Sequence, residues 1–273
     1  PTPTLPLSGE GETTSPPAKG GSGGLKPTPP PTEFSGAVRY VARAEGIIYE
    51  TFLDKIEERK FSTTIIPKIY EAYFSNHKNK KGESVMMRHL KTDDKTIETF
   101  LGIVPKDVLG GDVGNNEIKG VFLPDNITDV SISPDTIKIF YLLNIGDNVV
   151  GTILNLLDNK KIQVFDSAFT EWLSFWPNNN MITLTTKPSW SVPGHMYTIN
   201  PSTKSFNRIL SNVNGLTTLA SPDGKSVLYG DNNLSLSIYH VSTKISDVLG
   251  IRTLPEKCVW SKGNDSIYCA VPT

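Results

Sequence analysis

No run of about 18 apolar residues occurs anywhere in the 273-residue sequence, so no helix within it spans a membrane. Neither sign of charge is in excess. Lys+Arg 27 against Asp+Glu 28 leaves a formal net charge of −1, which removes the long-range attraction to nucleic acid or an anionic membrane that a basic protein would have. Metal-binding side chains are few: the four histidines, His77, His89, His195 and His240, show no HExxH or HxH spacing, and the two cysteines are not arranged as Cys-x-x-Cys. No metal and no cofactor is expected, and the histidines are expected to be solvated or hydrogen-bonded. The loop from Leu109 to Glu117 has oxygen donors but lacks the alternating acidic spacing of a calcium loop, so it is read as a polar turn. The G-x-S-x-G match at Gly20 to Gly24 lacks the strand-turn-helix setting of a nucleophile elbow, and no catalytic constellation is found elsewhere. Large apolar side chains are almost missing from Pro1 to Thr32, where Pro, Gly, Ser and Thr dominate; residues 1–33 are expected to be a disordered linker ahead of a folded domain at 34–273. The chain begins at Pro1 in mid-linker, and an anchor helix or signal peptide is expected upstream.

A repeat is present. Gly215 to Leu249 reads GLTTLASPDGKSVLYGDNNLSLSIYHVSTKISDVL, four short β-rich runs separated by SPDGK, DNN and STK turns. Within SPDG, Pro222 presets the first central φ, Asp223 offers its side chain to nearby backbone and Gly224 accepts a positive φ. The turn recurs as Ser133-Pro134-Asp135, Trp176-Pro177-Asn178 and Ser261-Lys262-Gly263, and positions 134, 177, 222 and 262 are 43, 45 and 40 residues apart. An earlier copy, Gly82 to Met86, aligns once the insertion Asn76 to Lys81 is removed, and Tyr49 to Leu53 (YETFL) recurs as Ile97 to Leu101 (IETFL). A period of this length with four strands per unit is the propeller pattern, whereas helical repeats of similar length would show a 3.6-residue period. Ile137 to Leu143 (IKIFYLL) is apolar on both faces, as a sheet sandwiched between two others requires. Thr51 to Phe61 contains good helix formers, but its match to the second copy favours a strand.

The expected fold is therefore all-β, a β-propeller of four-stranded blades. Strands B to D of a first blade fall at about 37–64, full blades at about 65–122, 125–167, 169–210 and 213–250, and a strand A (Glu256 to Trp260) and strand B (Ser266 to Val271) belong to one more. The C-terminal blade is expected to be incomplete, with further sequence beyond Thr273 and six or seven blades in the intact protein. The alternative is that the terminal A and B strands join the N-terminal strands and close a smaller ring.

SPDGKSVLY, Ser221 to Tyr229, with its degenerate copies, resembles the Pro-Asp, WD-like repeats of TolB-like proteins and of prolyl oligopeptidase gating domains. FTEWLSFWPN (Phe169 to Asn178), NGLTTLASPDGK (Asn214 to Lys225) and TLPEKCVW (Thr253 to Trp260) resemble an uncharacterised bacterial propeller family that follows an N-terminal anchor helix and a Pro/Thr linker. The resemblance runs from about residue 35 to the end. It implies a propeller held outside the cytoplasm by an anchor ahead of the given residues, and it implies no activity, because one fold hosts many functions.

In related propellers the D-to-A and B-to-C loops emerge together on one face, which directs attention to Thr170, Glu171, Trp172, Trp190, Asn214, Asp231, Asn232 and Glu256. Glu171, Trp172, Trp190, Asn214, Asp231 and Glu256 are the candidate binding residues, with Trp190 either an exposed anchor or packing over a blade edge. Glu171 and Glu256 occupy equivalent positions 85 residues apart; paired carboxylates act on glycosides only at about 5–10 Å separation, and solvated rim charges are the competing reading. Cys258 and Cys269 flank the last turn. An even-numbered turn sets them opposite each other and permits a disulfide, whereas a three-residue turn with a bulge points them to opposite sides as separate buried thiols. The favoured function is a non-catalytic binding or scaffold propeller engaging a protein, peptide or glycan on one face, with no nucleic-acid partner. The alternatives are a lyase or glycosidase using channel-mouth acids, or the gating domain of a hydrolase beyond the C-terminus.

Overall fold

The computed structural model describes residues 37–54, 56–75, 83–105 and 116–272. The expected linker, the G-x-S-x-G match, the 76–82 insertion and turn, His77, and most of the Leu109 to Glu117 loop lie outside them. Among the described residues the strands form six antiparallel sheets in chain order. Blade 1 is β1 (Ala37–Val41), β2 (Ile48–Phe52) and β3 (Glu58–Lys60), so the Thr51 to Phe61 stretch holds the end of one strand and the whole of the next. Blade 2 is β4 (Ile69–Phe74), β5 (Glu83–Leu90), β6 (Ile97–Val104) and β7 (Lys119–Phe122). Blade 3 is β8 (Ile127–Ile132), β9 (Lys138–Ile145), β10 (Asn148–Asn155) and β11 (Lys161–Ser167). Blade 4 is β12 (Trp172–Asn178), β13 (Met181–Thr186), β14 (Pro193–Ile199) and β15 (Phe206–Asn214). Blade 5 is β16 (Thr217–Ala220), β17 (Ser226–Gly230), β18 (Ser235–His240) and β19 (Ile245–Arg252). β20 (Cys258–Trp260) and β21 (Ile267–Cys269) form their own sheet, and no ladder joins them to β1–β3 among the described residues, which sets aside the smaller ring.

Each blade is an up-and-down meander, and together the blades form a β-propeller. The first strands β8, β12 and β16 touch from blade to blade, whereas β7 and β19 are largely exposed, so strand A is inner and strand D outer. Side chains alternate across each pleat, and here both faces are buried. In β5, Val85 and Met87 pack toward blade 1 with Ile48 and Phe61, while the intervening Met86 packs toward blade 3 with Ile139 and Tyr141. In β9, Ile139 and Tyr141 face blade 2, while Phe140 and Leu142 face Trp176 and Leu184 of blade 4. The cores therefore lie between blades rather than within them.

The A–B turns share a hydrogen-bond scheme that the SPDG motif encodes. Ser221 Oγ donates to Asp223 Oδ1 at 2.7 Å and accepts from Ser226 N at 3.0 Å, and Ser261 Oγ repeats this with Asp265 (2.7 Å) and Ser266 N (3.2 Å). The residue three after each serine has a positive φ: Thr136 55°, Gly224 73° and Asn264 62°. A β-branched residue in that region is strained, and Thr136 is held there by Ser75 Oγ of the preceding blade, which donates to its carbonyl at 2.9 Å. Similar links run from Asn178 Nδ2 to Pro222 O (3.1 Å) and from Asp223 N to Asn264 Oδ1 (3.2 Å), so this turn face is tied blade to blade.

The last hairpin pairs Cys258 with Cys269, Val259 with Tyr268 and Trp260 with Ile267. Ala270 N bonds to Lys257 O and Ser261 N to Ser266 O, which makes Cys258 and Cys269 a non-hydrogen-bonded pair, the register in which opposed Cα atoms come closest. Their Cα atoms are 4.0 Å apart and a disulfide joins them.

Candidate functional site

A groove of about 690 Å³ opens along the seam between blades 3 and 4. Four aromatic rings form its wall in a closed circuit. Phe165 of β11 meets Trp172 at 5.7 Å edge to face, Trp172 meets Tyr197 of β14 at 5.7 Å, Tyr197 stacks on Phe206 of β15 at 4.5 Å, and Phe206 returns to Phe165 at 5.4 Å. Phe169, in the D-to-A connection, adds a fifth ring edge-on to Trp172 at 5.1 Å. Such pairs contribute about 0.5–1.5 kcal/mol each beyond their burial, so the wall is stiff. Trp172 is the keystone: it is buried, and its indole Nε1 donates to Phe169 O at 2.6 Å, fixing the connection above it. Phe169 and Phe206 remain 48% and 44% exposed, which leaves an apolar surface open to a ligand.

Polar residues share the lining with the rings: Asp166, Ser167, Thr186, Lys187, Ser189, His195 and Lys204. Lys187 at the B-to-C loop end is paired with Glu171 at 2.6 Å, and the Asp166 carboxylate receives Asn148 Nδ2 at 2.7 Å. Lys204, from the C–D hairpin, is exposed, and no acidic partner faces it among the described residues. His195 is half-buried, and its backbone N–H donates to Thr186 Oγ1 at 3.0 Å. His89 lies 3.5 Å from Glu98 and His240 lies 3.1 Å from Asp247.

The loop residues singled out from sequence fall in different places around this groove. Trp172 forms part of its wall and Glu171 reaches it through Lys187. Trp190 is 71% exposed in the loop between the lining residues Ser189 and Val192. That loop is tied to the next blade: Gly215 N donates to Ser189 O and Asn232 N donates to Asn214 O, both at 2.8 Å, which brings Trp190, Asn214 and Asn232 onto one loop face. Asp231 is occupied by its own turn, with Oδ1 accepting from Asn233 N (2.9 Å) and Ser235 N (3.0 Å). Glu256 stands exposed on a single 3-10 turn, Pro255–Lys257. Glu171 and Glu256 sit on either side of blade 5, and no contact brings the two carboxylates together among the described residues. Phe165, Phe169, Tyr197, Phe206 and Lys204 were not picked out from sequence. The available signal was the presence of aromatics on two outer strands whose other residues are mostly exposed.

A second constellation crosses the inner strands. Arg88 of β5 is buried, pairs with Glu71 of β4 at 2.6 Å and donates to Ile127 O of β8. Tyr73 donates to the other Glu71 oxygen, and Asp129 of β8 accepts from Ser174 N of β12. Blades 2, 3 and 4 are thereby linked through polar groups. Burial, followed by the hydrogen bond to Glu71, pushes the Tyr73 phenol up, and burial lifts the Asp129 carboxyl against the opposing effect of Ser174 and Arg88. The cluster contains no nucleophile set against a base, and its chemistry is that of a clamp.

The raised Asp129 value has a stability consequence. An acid whose folded-state pKa lies above its unfolded value contributes fully below the unfolded value, about 3.9, and loses that contribution as pH rises through the folded value. Asp129→Asn keeps an acceptor for Ser174 N and removes the charge. The variant is expected to melt above the wild type at pH 7, with the gap closing as pH approaches about 4. Thermal melts across that range check this; a gap that does not change with pH contradicts it.

Among the described residues no helix is long and apolar enough to cross a membrane, and no group of three or more His, Cys, Asp or Glu side chains is disposed to hold a metal ion.

No family model matches the chain, and no curated protein matches it in sequence. Solved structures do. The chain is similar to TolB from Acinetobacter baumannii, with a TM-score of 0.53 and 15% identity over 85% of this chain and 57% of that one. It is also similar to the Dos1 propeller, with a TM-score of 0.56 and 11% identity over 89% of this chain and 67% of that one. At these identities the likeness is one of fold, a TolB-like β-propeller, and the chain spans 57% of the TolB chain's length.

Proposed function

We propose that the chain is a non-catalytic binding propeller that works outside the cytoplasm and takes an apolar segment of a peptide or protein in the groove between blades 3 and 4. The aromatic circuit of Phe165, Trp172, Tyr197 and Phe206 carries this reading. A concave site of roughly 300–1,000 Å³, mostly apolar with a few placed polar groups, is the usual form of a ligand pocket. Rings packed against one another offer a dry slot with edges, which suits an inserted side chain better than a sugar. The extracytoplasmic location is supported by the Cys258–Cys269 disulfide, since such bonds persist mainly in oxidising compartments.

The test is an immobilised wild-type chain challenged with a peptide array and a glycan array in parallel. Phe206→Ala serves as the control variant, because Phe206 is 44% exposed and its loss leaves the inter-blade core closed. Saturable binding of apolar peptides, weakened by about tenfold or more in Phe206→Ala while the variant stays cooperatively folded with a melting temperature only a few degrees lower from the two lost ring pairs, is the expected result. Binding of glycans alone, or peptide binding indifferent to Phe206→Ala, overturns the assignment.

A further inference from the structure

We infer that the groove between blades 3 and 4 selects a ligand carrying a carboxylate beside its apolar group, and that Lys204 receives that carboxylate; this rests on the binding reading given above. The argument is one of charge complementarity along a single slot. Its floor is aromatic, and its charged rim groups are Lys187, Lys204 and Asp166, with His195 in the wall. One of the three charges, Lys187, is already paired, and Asp166 keeps its negative charge because the Asn148 amide that donates to it is neutral. Lys187 is paired with Glu171 at 2.6 Å, and Asp166 is hydrogen-bonded by Asn148 at 2.7 Å. Lys204 has no acidic partner among the described residues, so it is the slot's unpaired cation among them, at the hairpin end, with the unpaired Asp166 carboxylate elsewhere on the rim.

The backbone of Lys204 is held at the slot. It occupies the left-handed region at φ 60° in the C–D hairpin, and its N–H donates to Asn200 O at 2.8 Å. The hairpin is fixed in turn by Asn200 Oδ1, which accepts from Ser202 N (2.9 Å) and Thr203 N (3.0 Å). Phe206, two residues on, is in the aromatic circuit, so the Lys204 backbone and one of the rings belong to one short hydrogen-bonded turn. A cationic group placed at the hairpin end would meet the Lys204 ammonium and be disfavoured there. An uncharged apolar ligand would bind but gain nothing from it, whereas a carboxylate next to an apolar side chain satisfies both parts.

The carboxylate has two sources, the free C-terminus of a peptide or an acidic side chain within one, and the probes separate them. N-acetyl-phenylalanylphenylalanine as the free acid and as its amide tests the terminus. The same dipeptide extended by glutamic acid amide or by glutamine amide tests the side chain. Titration calorimetry on the full chain at low ionic strength is expected to show at least one acid binding about three- to tenfold tighter than its uncharged counterpart. Lys204→Gln is expected to abolish that difference, and Lys204→Glu to reverse it. Equal binding of acid and amide by the wild type, or a preference that survives Lys204→Gln, overturns the inference and leaves the apolar groove standing. Failure of all four probes to bind overturns both.

Discussion

Arg88→Met is expected to lower the stability of the chain by about 3–5 kcal/mol, the range seen when one member of a buried ion pair is removed and the other is left behind. Arg88 is 4% exposed and answers three groups at once: Glu71, the Ile127 carbonyl and the face of the Tyr70 ring, whose centroid lies 5.2 Å from the guanidinium carbon. Methionine fills most of the volume and supplies none of these contacts, so Glu71 keeps its charge beside Tyr73 without a counter-ion. The cost therefore resides in the orphaned carboxylate rather than in the lost attraction, and removing both charges should recover much of it. Urea melts of Arg88→Met and of Arg88→Met with Glu71→Leu separate the two contributions. A loss below about 1 kcal/mol in the single variant, the value of an exposed pair, would show that the cluster is wet and the clamp is not one.

Phe140→Ala is the second large effect, expected at about 3–5 kcal/mol. Phe140 is fully buried between blades 3 and 4, and the ring is seated over Gly151 on the neighbouring strand. Phe140 pairs with Ile153, which makes Gly151 its diagonal neighbour across the ladder. A Cβ at Gly151 would come within 2.7 Å of the Phe140 ring and 2.8 Å of Phe165 Cβ, so Gly151→Ala alone should cost about 1–3 kcal/mol by overpacking. The two changes are coupled. Removing the ring opens space on one side of the new methyl group, and the double variant should lose less than the sum of the singles. A double-mutant cycle by chemical denaturation measures this, and strict additivity would mean that the ring and the glycine do not share the same space.

The fold was largely legible because its repeat is written in turns. Ser221-Pro222-Asp223-Gly224 states a geometry in four residues, and its copies mark the turn between the first and second strands of each blade from Ser133 onward. The apolar run at Ile137 to Leu143 announces a strand buried on both faces, and Ile139 and Phe140 do face opposite blades. The groove was less legible. Attention fell on loop residues, which located Trp172 in the groove wall but also selected Asp231, whose carboxylate serves its own turn. Phe165 and Phe206 lie 41 residues apart on outer strands and meet only after two blades have stacked, so no local pattern joins them. Arg88 sits in ESVMMRHL, where the neighbouring methionines suggest a strand interior and nothing nearby in sequence names Glu71 or Ile127 as its partners.

Because every core lies between two blades, no blade owns the apolar surface that stabilises it. The free energy is then close to a sum over joints, each involving only its two flanking sheets, as in other stacked repeats. A weakened joint is felt fully on either side and faintly beyond. A ligand seated between blades 3 and 4 accordingly stiffens one hinge of the series, and it can raise the resistance of that hinge to opening without altering the average position of any other blade.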